Sequence, residues 1–275
     1  GGSVRAVAAR AALLACLLGG LGAQARENVL IVLADDLGVD FVGAYGEGAS
    51  LPATPNIDAL AARGVLFRNA WANPSCSPTR GCVMTGRYPF RTLIGRWIDY
   101  PHNSGTVGTL RPFEVTLPEV LRRAGGFHAD GYIGKWHLNY QRDGLLAPNA
   151  IGGWSHFAGK LKGMGSSDYY SWERVVNGVA ATSNVYATTQ QVDDALAWIG
   201  AQSGPWFCYF ACLAPHLPMH APPAHLHSQN LAGLSTTTHR TTFYKAVIEA
   251  LDTELGRLFR GLGPELANTH VIFLG

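Results

Sequence analysis

Residues 28–34 read Asn-Val-Leu-Ile-Val-Leu-Ala, apolar at every position after the first, and the run stops at Asp35-Asp36. A strand with one face in water alternates apolar and polar residues. A short, unbroken, branched run needs cover on both faces, which is the condition of a central strand in a parallel sheet. Parallel neighbours require crossover helices, and the chain supplies them. Residues 56–63 read as a helix with Pro55 before it and Gly64 closing it. Residues 116–123, opened by a threonine and Pro118 and stopped by Gly125-Gly126, read as another. A strand near 129–133, a helix near 188–201, a strand at 206–213, a helix at 242–262 and a last strand at 270–274 continue the alternation. The expectation is an α/β fold with a mostly parallel central sheet flanked by helices on both faces. No repeat, charge block or low-complexity linker interrupts it, so one domain is the simplest organisation.

Composition agrees with a packed protein. Of the 275 residues 47% are hydrophobic and 15% charged, which rules out disorder for the bulk of the chain. Lys and Arg total 21 against 19 Asp and Glu, a net charge of +2, so no basic excess draws a phosphate backbone and nucleic acid is not an implied partner.

The opening of the chain reads as an export address. Arg5 and Arg10 precede an apolar run from Ala11 to Leu21, and Ala23-Gln24-Ala25 is a small-x-small cleavage pattern, so residues 1–25 read as a secretory signal peptide. The run is about 11 residues, roughly half the ~20 needed to span a bilayer, and no other segment comes close to a membrane span. The expected location is secreted or periplasmic. A lipoprotein variant on Leu14-Ala15-Cys16 is disfavoured by the short apolar stretch before Cys16. Without Cys16, four cysteines remain: Cys76, Cys82, Cys208 and Cys212. The last two lie in an aromatic and apolar run, with an offset that sends both side chains to one face, and read as buried thiols.

Ligands of parallel α/β sheets bind beyond the carboxyl ends of the strands. At those positions stand Asp35-Asp36, then Lys135-Trp136-His137, then Pro215-His216, and the last strand stops at Gly275. Adjacent carboxylates suit a hard cation such as Ca²⁺ or Mg²⁺, although an Asp-Asp pair alone is as often a cap or a solvated loop. A lone His or Lys after a strand is usually structural or solvated. Their convergence on one sheet edge is what favours a site. His220, His225 and His227 are spaced irregularly among prolines and read as a loop rim, facing substrate or solvent. Trp97, Tyr100, Trp154, Tyr169, Tyr170 and Trp172 suit a sugar or aryl pocket and core packing equally.

The loop at residues 76–86 reads Cys-Ser-Pro-Thr-Arg-Gly-Cys-Val-Met-Thr-Gly and resembles the sulfatase signature C-x-P-x-R followed by a Thr-Gly pair. Other segments extend the resemblance: NVLIVLADDLG at 28–38, TPNIDALAARGVLF at 54–67, GKWHL at 134–138, APHLP at 214–218 and EALDTELGRL at 249–258. It runs from about Asn28 to Gly275 and implies an alkaline phosphatase-like fold. It further implies that Cys76 is oxidised to formylglycine by a formylglycine-generating or sulfatase-maturing enzyme, with Pro78 and Arg80 completing the recognition motif. The implied reaction is hydrolysis of a small-molecule or glycan sulfate ester, of arylsulfatase type. One hydroxyl of the hydrated aldehyde attacks sulfur and the other expels sulfate. Asp35, Asp36 and the modified Cys76 would hold the divalent cation, Ca²⁺ or Mg²⁺. Arg80 would hold the geometry of the centre; Lys135 and His216 would contact the sulfate and the leaving oxygen; His137 would take a proton from the second hydroxyl.

The chain departs from the family pattern in three places. The second metal-ligand pair, an Asp-Asn, is expected just where the chain stops at Gly275, so the sequence reads as the N-terminal portion of a sulfatase, residues 26–275 forming an incomplete catalytic domain without the C-terminal subdomain. Asn139 stands where a glycine is usual after GKWHL, and Ser155 stands in GWSHFAG where the family has an acid. The alternatives are a catalytically incompetent fragment, or a phosphatase or phosphonate monoester hydrolase of the same superfamily.

Overall fold

The computed structural model describes residues 27–98, 108–127, 129–165 and 168–275. The signal-peptide segment, Cys16 and Tyr100 lie outside the described residues.

The apolar runs form the strands β1 (Asn28–Leu33), β2 (Ala129–Lys135), β3 (His156–Lys160), β4 (Trp172–Val176), β5 (Val179–Ser183), β6 (Trp206–Ala211) and β7 (Thr269–Leu274). They make one seven-stranded sheet in the order β5-β4-β3-β2-β6-β1-β7. From β3 to β7 every pairing is parallel, with Val29 opposite Phe207 and His270, and Gly131 opposite Cys208 and His156. β4 and β5 add an antiparallel hairpin at one edge. Successive residues of the central strands feed two separate cores, which is why their runs do not alternate. Leu30, Val32, Ile133, Cys208 and Phe210 pack on one face; Ile31, Leu33, Tyr132, Phe207 and Tyr209 pack on the other.

Among the described residues, five helices of two turns or more cover these faces: α1 (Pro55–Arg63), α2 (Cys76–Thr85), α3 (Leu117–Gly125), α4 (Ala187–Gly200) and α5 (Arg240–Leu262). Ile57, Val192, Val247 and Leu251 place α1, α4 and α5 on the first face. Met84 of α2 and Leu117 and Leu121 of α3 lie on the second. The first turn of α1 is satisfied at a distance: the Asp252 carboxylate on α5 accepts the amides of Asn56 at 3.1 Å and Ile57 at 2.9 Å. The expected helices and strands are present within two residues at each end.

Three features differ from the sequence expectation. The segment from Cys76, expected as a loop, is the helix α2; Pro78 sits in its first turn, where no backbone N–H partner is lost, and Gly86 closes it at φ 65°. β3 and the β4–β5 hairpin add strands beyond those expected. Gly134 in β2 has φ +112°, and a Cβ there would lie 1.9 Å from the Ala211 carbonyl oxygen, so β2 and β6 meet only over a glycine.

Candidate active site

The carboxyl ends of β1, β2 and β6 converge. The Asp35 amide donates to Ala214 O at 3.1 Å and the Ala34 amide to Leu274 O at 2.9 Å, fixing the turn that follows β1 against its neighbours. Asp35 is buried, with wholly buried Lys135 paired to its Oδ2 and Arg80 Nη2 3.3 Å from its Oδ1. Burial pushes the Asp35 carboxyl up, but Lys135, Arg80 and His216 outweigh it and hold the group down at about 2. Arg80 reaches from α2 to the end of β2, donating from Nη1 to the Lys135 carbonyl at 2.7 Å. Its Nε and Nη2 have no hydrogen-bond acceptor although the side chain is buried.

Cys76, the first residue of α2, lies with its Sγ 3.2 Å from His137 Nδ1. His137 Nε2 is 2.9 Å from the Ile98 carbonyl, which can only accept, so Nε2 carries the proton and Nδ1 accepts from the Cys76 thiol. Burial, then the Lys135 charge, lower the His137 pKa to about 3, which keeps this ring neutral. His137 has φ +54°, a left-handed conformation that turns the chain sharply after Trp136.

Asp36 also has positive φ, 67°, and its exposed carboxylate lies 3.6 Å from His216 Nε2. Tyr244 of α5 donates to the Asp36 carbonyl at 2.5 Å. Asp35, Asp36, Cys76, Thr79, Arg80 and Gly275 line a cavity of about 290 Å³. Among the described residues no group of three His, Cys, Asp or Glu side chains is arranged to hold a metal ion. Nor is any helix among them long and apolar enough to cross a membrane.

The model of the sulfatase family matches residues 27–275. The chain belongs to the sulfatase family. It is 33% identical to N-acetylgalactosamine-6-sulfatase from Sus scrofa over 289 aligned positions, covering 95% of this chain and 52% of that protein. This sulfatase chain thus spans about half the length of the curated relatives it matches. Its fold resembles yidJ of Bacteroides fragilis, a crystal structure assigned to the sulfatases, with a TM-score of 0.74 at 22% identity over 90% of this chain and 61% of that one. The fold also resembles the phosphonate monoester hydrolase of Agrobacterium radiobacter, with a TM-score of 0.61 at 21% identity over 90% of this chain and 62% of that one. These likenesses bear out the alkaline phosphatase-like α/β fold.

The sulfatase residues singled out in the sequence fall into two layers. Asp35, Asp36, Cys76 and Arg80 line the cavity, whereas Lys135 sits behind Asp35 and His137 behind Cys76. His216 stands beside Asp36. Sequence reasoning missed the supports. Tyr132, from the buried face of β2, donates to Lys135 O at 2.5 Å and stacks on Tyr209 at 4.9 Å. Thr79 ties the preceding loop to α2, its hydroxyl accepting from the Asn73 amide at 3.1 Å and lying 3.0 Å from Ser75 O.

Both internal departures from the family pattern are absorbed locally. Asn139 is buried, accepting from Trp136 Nε1 at 3.0 Å and donating to Leu110 O at 3.1 Å. Ser155 replaces the acid with a hydroxyl that donates to Asp130 O at 2.5 Å, while its amide donates to Asp130 Oδ1 at 2.7 Å. Cys208 and Cys212 are buried free thiols whose pKa values burial pushes up. Trp154, Tyr169 and Trp172 belong to the core, while Trp97 and Tyr170 are exposed. His220 is half-buried and stacks on Tyr169 with ring centroids 4.0 Å apart.

Proposed function

We propose that this chain carries the catalytic centre of an exported sulfuric ester hydrolase acting on carbohydrate or aryl sulfate esters, with Cys76 matured to formylglycine. The observation that carries the reading is the buried Arg80 guanidinium. It lines the cavity beside Cys76; its Nε makes no hydrogen bond and its Nη2 has only the 3.3 Å ion-pair contact with Asp35. A buried cation with donor capacity left over at a cavity wall suits a further anionic oxygen there. The name of the Sus scrofa relative supports a glycan sulfate as the substrate class.

Formylglycine, as its hydrate, supplies a nucleophilic hydroxyl and a second hydroxyl for release of sulfate. The donor set fits a hard cation in kind: Asp35 is ionised, Asp36 adjoins it, and both line the cavity with Cys76. These three residues, which are not gathered around a common point in this structure, would have to close together to hold Ca²⁺ or Mg²⁺, which would polarise sulfuryl oxygens. Neutral His137, with Nδ1 facing residue 76 and Nε2–H anchored on Ile98, is arranged to accept a proton from a hydroxyl at that position. Lys135 and Arg80 set the charge around Asp35, and His216, 3.6 Å from the Asp36 carboxylate, would deliver a proton to a leaving oxygen.

The test is mass spectrometry of the Cys76 peptide after co-expression with a formylglycine-generating enzyme, alongside turnover of a chromogenic aryl sulfate. Conversion lowers the peptide mass by about 18 Da, a difference set by the covalent change itself. Conversion together with turnover that Cys76→Ala abolishes is the expected result. An unconverted Cys76 would overturn the mechanism. Preferential cleavage of an aryl phosphonate run in parallel would overturn the sulfate assignment.

A further inference from the structure

The loop that carries His216 leaves β6 and runs through Leu213 to Ala221, and tyrosines from the segment between β3 and β4 hold it. Tyr169, buried between β3 and β4, places its hydroxyl 2.9 Å from Leu213 O and 2.7 Å from His216 O. One phenolic proton thus serves two carbonyls that bracket Ala214-Pro215, pinning the loop into a closed bend. Beyond the bend, the Tyr169 ring stacks on His220 at 4.0 Å. His220 Nδ1 lies 2.9 Å from Pro218 O and must donate there, so its Nε2 accepts from the Tyr186 hydroxyl at 3.0 Å. Tyr170 closes the far end, donating to Ala221 O at 2.7 Å. Among the described residues, His216 Nδ1 meets the neighbouring Leu217 O at 2.8 Å, its Nε2 lies 3.6 Å from Asp36, and its charge is felt by Asp35. Its direction is therefore set by the backbone that Tyr169 grips.

We propose that Tyr169 is a positioning residue for His216, acting through its hydroxyl on the carbonyls of Leu213 and His216. The catalytic part of this inference rests on the proposed role of His216. The geometric part does not. A side chain displaced by about 1 Å from its working position can lose about 10²-fold in rate. Tyr169→Phe removes only the hydroxyl and keeps the ring that stacks on His220.

Two measurements test it on the whole chain. With ¹³C-labelled histidine, the Cε1–H signal of His216, assigned by its disappearance in His216→Gln, is narrow in the unsubstituted protein and shifts or broadens in Tyr169→Phe. An unmoved signal overturns the proposal. So does a His216 signal already exchange-broadened in the unsubstituted protein, a result that decides the matter even if Tyr169→Phe does not fold. In sulfate ester turnover, Tyr169→Phe lowers kcat by about 10- to 100-fold with little change in KM, and costs nothing more in the His216→Gln background. An equal loss in both backgrounds means the tyrosine acts elsewhere and also overturns it. If the unsubstituted protein turns over no sulfate ester, the proposed function fails, and the histidine signal still decides the positioning role.

Discussion

The Cys76 thiol donates to Nδ1 of His137 across 3.2 Å, and the same imidazole donates from Nε2 to the Ile98 carbonyl at 2.9 Å. The second bond fixes the tautomer that the first requires. Residue 76 therefore faces a lone pair on a buried neutral ring, a relationship that survives replacement of the thiol by any group bearing a hydroxyl.

Replacing His137 removes that lone pair without emptying the cavity. His137→Asn, which tolerates the positive φ at this position, should lower kcat for an aryl sulfate by about 10²–10⁴-fold and leave KM within a few-fold. Steady-state kinetics on formylglycine-bearing protein check this; an unchanged kcat would remove His137 from the mechanism.

Asp35 is the counter-charge for two buried cations. Asp35→Asn leaves Lys135 and Arg80 buried without an anion, and breaking a buried pair in this way costs about 3–5 kcal/mol. Urea denaturation followed by fluorescence should show a loss of unfolding free energy of that order, read as a lower midpoint. A variant as stable as the parent would mean that solvent reaches this network.

Acid should weaken the fold in two stages. The His137 pKa is lowered from 6.5 to about 3, so its unfolded form binds the proton more tightly. Its contribution is fully present above pH 6.5 and drains away as pH falls toward 3. The Asp35 pKa is lowered from 3.8 to about 2, so its contribution is present above 3.8 and is lost as pH falls through 2. Melting temperatures between pH 7.5 and 4.5 should fall less steeply in His137→Asn than in the parent; parallel curves would contradict the assignment of the first stage.

Gly134→Ala should be among the most damaging single-methyl changes in the chain. The new Cβ would meet Ala211 O at 1.9 Å on a backbone with φ +112°, a combined clash and strain of about 2–4 kcal/mol. Thermal unfolding by circular dichroism measures it, and a melting temperature near the parent's would show that β2 can move away from β6.

The parallel core was legible because both faces of β1 and β6 are covered, and a strand covered on both faces leaves an unbroken apolar run. The site was legible where its residues follow strands or sit in the Cys76–Arg80 motif. The edge hairpin has a sequence signal of its own: Asn177-Gly178, both at positive φ, is a tight-turn pair between two short strands. Helix α2 was obscured by Pro78 and Gly81, which act as breakers inside a helix but are harmless here. Pro78 lies in the first turn, and Gly81 admits the Ile94 side chain, whose Cδ1 would lie 3.2 Å from a Cβ at that position. Tyr132 leaves no mark in the sequence, Tyr169 stands there only as a pocket or core aromatic and Asp252 only as part of the 249–258 segment, because each acts on a backbone brought alongside only by the folded sheet.

At the opposite end of the sheet from the hairpin, β7 pairs with β1, and among the described residues no strand lies on its outer side. Its sequence, Thr-His-Val-Ile-Phe-Leu, holds β-branched and aromatic residues with no proline and no fixed charge, and Ile272 is exposed. Wherever such a strand is left unpaired, its composition can template growth of the sheet into another molecule, so a sample of these 275 residues with a bare β7 edge should self-associate as concentration rises, which light scattering measures. The strand that brings Gly275 to the cavity would thus also be the one through which a bare edge joins copies.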